Sequence, residues 1–145
     1  MVCAPVLFSY GAKWNLLMND ILVPTNPAEL IDQIIDLQLR IAAAGPRQPS
    51  DLLRRREVLS RLAARIMPPD EELAQLTEHL VTARSDLFNL TQDLRACDAR
   101  NDYGTAFVAL SQSLLAAMAA LDAAKAAIND HVAPSSLGPI QRFDA

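Results

Sequence analysis

The chain has 145 residues, 51% hydrophobic but only 5% aromatic, with four glycines, two cysteines and a formal charge of −4. One domain with an aliphatic core fits that length and needs neither a disulfide nor a structural metal. The acidic balance excludes a general affinity for nucleic acid, which requires a net basic face, and Cys3 and Cys97 belong to no CxxC or Cys/His cluster that would indicate a zinc site or disulfide framework.

Isolated thiols suit a reducing compartment, and the expected location is cytoplasmic. The apolar run Val2–Tyr10 contains Pro5, lacks an early positive charge and is too short to span a bilayer, so neither a secretion signal nor a membrane span is expected there. Residues 1–17 have no periodicity and read as a poorly structured N-terminal extension, with Met18 as an alternative start. Ile21-Leu22-Val23, stopped by Pro24, suits a short extended segment against the core.

The first helix is expected to begin at Asn26. Asn is a strong N-cap, Pro27 suits the first helical position, and Glu29 stands at capping-box spacing. It should end at Gly45-Pro46. Its apolar residues form two adjoining stripes, Leu30/Ile34/Leu37/Ile41 and Ile31/Ile35, wide enough to touch more than one neighbour. Asp32 and Asp36 are placed toward the polar side; with Glu29 they read as a solvated strip or, less simply, as a site for a cation or a basic partner.

The second helix should run from Ser50-Asp51 to Pro68-Pro69, where consecutive prolines stop it. Leu52, Leu59, Leu62 and Ile66 are its expected buried stripe. Seven arginines lie between Arg40 and Arg65 against only Asp51 and Glu57. At 100° per residue, Arg54, Arg61 and Arg65 share one exposed face, whose planar donors suit carboxylate or phosphate groups. These three are the candidate residues for binding a partner or an anion, against the plainer reading of a solvated face.

Two longer segments carry the clearest pattern. Leu73, Leu76, Leu80, Ala83, Leu87, Leu90, Leu94 and Cys97 follow an uninterrupted 3-4 spacing, and Phe107, Leu110, Leu114, Ala117, Leu121, Ala124 and Ile128 repeat it. An antiparallel pairing in which opposed positions sum to 204 sets every seam alanine against a leucine, which fills the layers without voids. The expected fold is therefore all-α: a long helical hairpin, about 71–98 and 105–132, with the two shorter N-terminal helices covering its apolar flank. The helical domain spans 18–133, and 134–145 reads as a disordered tail. At the hairpin tip, Asp98, Arg100, Asp102 and Tyr103 are candidates for recognising a partner, although closing the chain reversal is a sufficient role for them.

Ile21-Leu22-Val23-Pro24, Pro27-Ala28-Glu29-Leu30-Ile31-Asp32 and Arg95-Ala96-Cys97-Asp98-Ala99-Arg100-Asn101-Asp102-Tyr103-Gly104 together resemble a bacterial family of short helical proteins. That family opens with I-x-V…G-E-L-[IV]-D-K and carries an R-A-C-E-A-R-x-D-[FY]-G turn; the resemblance covers about residues 18–130. It is a domain of unknown function associated with neighbourhoods of tetratricopeptide repeats and glycosyltransferases, so the resemblance implies no enzymatic activity. Ala28 and Gln33 depart from its glycine and lysine, and Ala116–Ala127 replaces a polar run.

No catalytic, cofactor or metal constellation is legible. His79 and His131 belong to no HExxH or Glu-x-x-His spacing, and no phosphate loop or nucleophile elbow occurs. The leading expectation is a non-catalytic interaction or scaffold module that self-associates or binds a protein. The alternative is an accessory protein, or an enzyme of unrecognised type, in envelope-polysaccharide metabolism, binding an anionic ligand through the arginine face. Peripheral binding to anionic membrane through the second helix is disfavoured because the core is expected to take its apolar residues.

Overall fold

The computed structural model describes residues 25–67 and 69–136, which form four helices: α1 (Pro27–Ala43), α2 (Ser50–Ile66), α3 (Glu71–Ala99) and α4 (Thr105–Ser136). The predicted extension at 1–17 and the extended segment at Ile21–Val23 lie outside the described residues. The all-α hairpin with two shorter N-terminal helices is the observed architecture. α4 continues through Pro134 to Ser136, so the tail read from Pro134 starts inside the last helical turn. A proline there removes one backbone bond, and its ring crowds the carbonyl four residues before it.

Local chemistry sets the helix ends. Asn26 caps α1, its side chain accepting from Glu29 N at 2.8 Å, with Pro27 at the first position. Gly45 follows the helix with φ +65°, a conformation that costs glycine little. α3 starts on Asp70, whose carboxylate accepts from Glu72 N. It ends in a Schellman arrangement, with Asp102 N donating to Cys97 O and Asn101 N to Asp98 O, both at 2.9 Å. Asn101 takes the left-handed position at φ 53°, which asparagine tolerates better than most residues.

α3 and α4 form the most extensive helix pair. Leu76, Leu80 and Ala83 gather in one apolar cluster with Ile128, Ala124 and Leu121, the three partners that the sum of 204 assigns them. Leu80 and Ile128 are fully buried. α1 lies along one side of the hairpin and adds Ala28, Leu30, Ile31 and Ile35 to the same cluster.

α2 departs from the expectation. It packs on α1 alone and does not reach the flank of the hairpin. Leu52 and Leu59 are only half-buried where a buried stripe is expected, Leu62 and Ile66 are 42% and 50% exposed, and Val58 beside them is 58% exposed. The physical reason is competition for one groove: α1 carries two apolar stripes and occupies the hairpin side by itself. Only its outer side remains for α2, whose contribution to the core comes from Leu59, Ala63 and the following Met67.

The layers differ in what they lose on truncation. Ile128→Ala is expected to lower the unfolding free energy by about 2–5 kcal/mol, and Leu62→Ala by about 0.5 kcal/mol or less. Urea unfolding followed by helical circular dichroism measures both.

Candidate functional site

The charged residues of the molecule divide into a buried cluster and an exposed row. The buried cluster centres on Asp32, only 1% exposed. Arg84 of α3 grips it with both edges of the guanidinium, Nε donating to Oδ1 at 2.6 Å and Nη2 to Oδ2. Lys125 of α4 places Nζ 2.7 Å from Asp32 Oδ2 and 2.9 Å from Glu29 Oε2. Asn129 adds an uncharged tie, its Oδ1 accepting from Ala28 N at 3.0 Å, so a side chain of α4 satisfies an open donor at the start of α1.

The acidic strip expected along α1 is therefore dismantled. Asp32 is sealed between α3 and α4, Glu29 is shared with Lys125, and Asp36 pairs with Arg40 at 2.8 Å. Sequence spacing placed Asp32 toward the polar side. In fact the apolar sector of α1 wraps far enough round to include it, 40° from buried Ala28 at 100° per residue. Arg84 and Lys125 each directly follow a seam alanine, Ala83 and Ala124, and Lys125 is one of only two lysines in the chain; those were the signals available.

Burial alone would push the Asp32 carboxyl up, but the hydrogen bonds and positive charges of Arg84 and Lys125 outweigh it and hold the carboxyl below its ordinary value. Arg84 is raised, chiefly by its bond to Asp32, and Lys125 is raised despite its own desolvation. All three stay charged at neutral pH, which suits a clamp and not proton transfer. Among the described residues, no group of three or more His, Cys, Asp or Glu side chains is placed to hold a metal ion.

At the open end of the hairpin, His131 contacts Asp70 and lies 3.5 Å from Glu72, joining the end of α4 to the start of α3. At the other end the predicted tip residues turn inward on one another. Tyr103 Oη donates to Asp98 Oδ1 at 2.7 Å, Gly104 N donates to Asp102 Oδ1 at 3.3 Å, and the Tyr103 ring stands edge-on to Phe107 at 5.3 Å. Arg100 reaches the sulfur of buried Cys97 at 3.8 Å. These bonds close the turn, and the tip residues remain exposed, Tyr103 by 54%.

Arg54, Arg61 and Arg65 fall on one exposed face of α2, as the spacing predicts. Arg61 is engaged with Glu57; among the described residues no ion pair holds Arg54 or Arg65. Val58, Leu62 and Ile66 run alongside them and are also exposed, so the face is both basic and apolar. Of that apolar row, the sequence pattern assigns Leu62 and Ile66 to the core.

Two of the grooves among the described residues run along the hairpin arms. One, of about 490 Å³, lies between α1 and α3 and includes Arg40, Arg84, Phe88 and Arg95. The other, of about 530 Å³, lies between α3 and α4, lined by Leu90, Ala116, Ala117 and Ala120 together with Asp86 and Asp93. On α4, Val108, Leu115 and Met118 are exposed as well. By length and composition Thr105–Val132 is apolar enough to cross a membrane, a stretch the N-terminal reading did not consider. Its Lys125 and Asn129 are committed to α1, however, and its hairpin partner α3 carries charge along its whole length.

No protein-family model matches the chain, and neither a curated protein nor a solved structure does.

Removing the buried carboxylate leaves Arg84 half-buried without its partner and Lys125 with Glu29 alone, so Asp32→Ala is expected to cost about 3–5 kcal/mol. Because the folded carboxyl lies below its unfolded value of 3.8, its stabilisation is complete above that pH and disappears as pH falls through the folded value. Urea unfolding followed from neutral pH to below 3.8 should show the onset of this loss in the native chain and little of it in Asp32→Asn.

Proposed function

We propose that this chain is a non-catalytic helical interaction module of the cytoplasm, assembling with itself or with a protein partner. The observation that carries the reading is the apolar surface left open on two different helices: Val58, Leu62 and Ile66 on α2, and Val108, Leu115 and Met118 on α4. Contiguous apolar surface bordered by polar residues is characteristic of association sites. Among the described residues, the charged groups that are buried are engaged with one another. Membership of the bacterial helical family that residues 95–104 resemble belongs to the same proposal.

A second reading is supported by one feature. Arg54 and Arg65 share an exposed face, about 16.5 Å apart along α2 at 1.5 Å per residue, each without an ion pair among the described residues, and an extended anionic sugar or phosphate ligand of envelope-polysaccharide metabolism would suit them.

Sedimentation and affinity capture test the first reading. The purified chain is expected to sediment above its 15.8 kDa monomer mass or to retain a specific protein from lysate; a strict monomer that retains none overturns it. Thermal stabilisation by polyphosphate or anionic oligosaccharide, lost in Arg54→Ala/Arg65→Ala, is the expected outcome of the second.

A further inference from the structure

The basic, apolar face of α2 and the groove between α3 and α4 lie on opposite sides of the molecule. α1 meets α3 at Arg84 and α4 at Lys125 and Asn129, and α2 lies beyond α1. The groove is lined from the other side of both arms. At 100° per residue Asp86 and Asp93 lie about 160–180° round α3 from Arg84, and Ala116 and Ala120 lie 140–180° round α4 from Lys125. The α2 of one molecule cannot reach its own groove.

Their chemistry is reciprocal. Arg54 and Arg61 are seven residues apart, two helical turns or about 10.5 Å, and Asp86 and Asp93 have the same spacing. Val58 and Leu62 stand beside the arginines, while Leu90 and the small side chains of Ala116 and Ala120 line the groove between the acids. Alanines let a second helix approach closely, and one that carries large apolar side chains fits them best. The asymmetry extends to the chain as a whole: α2 holds five arginines against Asp51 and Glu57, whereas the full sequence is net −4.

We propose that the Arg54/Arg61 face of α2 docks into the Asp86/Asp93 groove of a second copy of this chain. The proposal rests on the interaction reading above and names its partner. Because the two surfaces differ, the contact is head-to-tail, and it propagates into rings or filaments instead of stopping at a two-fold dimer. Charge sets the register and the docking rate, and the apolar rows provide the contact that persists.

The test is a charge exchange on the full chain. In sedimentation velocity at low salt, the native protein is expected to form a concentration-dependent series of species beyond the dimer, reduced in about 1 M salt, where screening acts within about 3 Å. Arg54→Glu/Arg61→Glu and Asp86→Arg/Asp93→Arg should each be monomeric. Mixed in equal amounts they should assemble again, because each then offers a surface complementary to one on the other. All four side chains are exposed, and circular dichroism verifies that the variants remain folded.

If the native chain assembles and neither variant changes its mass, the proposal is overturned while self-association stands; dispersal by Leu115→Glu would then place the seam on the outer face of α4. Two monomeric variants that do not assemble when mixed also overturn it. So does a native chain that stays monomeric in solution and floats with phosphatidylglycerol vesicles, which would assign the α2 face to a membrane.

Discussion

A carboxylate taken out of water makes this molecule one body. Asp32 leaves α1 almost fully buried and meets a guanidinium from α3 and an ammonium from α4, so each of the three inner helices contributes a charge to the same small volume. Such a cluster is weak evidence of net stability, since desolvating its members is expensive. Its strength lies in specificity. A hairpin with aliphatic sides would accept a third amphipathic helix at many heights and on either flank, whereas the bidentate Arg84 contact and the shared Lys125 permit α1 one height and one flank.

Everything outside that trio follows from where α1 sits. Having filled one side of the hairpin, it leaves α2 to rest on its back, and a helix in that position buries half a face at most. Among the described residues no helix covers the opposite side of the hairpin. The molecule is consequently layered and polar in sense, with a basic, apolar outer helix at one extreme and an acid-rimmed groove floored by alanine at the other. That polarity distinguishes it from a symmetric bundle.

The hairpin was readable in advance because both seams are long, regular and mutually complementary in volume; a pairing sum derived on paper puts Leu80 beside Ala124 and Leu76 beside Ile128 in the same cluster. The helix ends were legible for the same kind of reason, since Asn26, Pro27 and Gly45 act on the backbone next to them. Arg54, Arg61 and Arg65 were found on a shared face because rotation along a helix is a local property. Asp32, Arg84, Lys125 and Asn129 were not found. Each is an ordinary polar residue within its own helix, and their meaning arises only when segments 52 and 96 positions apart are brought together.

The amino-acid order by itself determined four helices, the cap of α1 and the pairing of the two long seams, because those depend on interactions within a turn or along a repeating seam. Tertiary structure decided which helix enters the hairpin groove, and with it the burial of Asp32 and the exposure of Val58, Leu62 and Ile66. An amphipathic stripe states that a helix wants a neighbour. Which neighbour it gets depends on competition for a limited apolar surface, and that competition is settled only when all the helices are present at once.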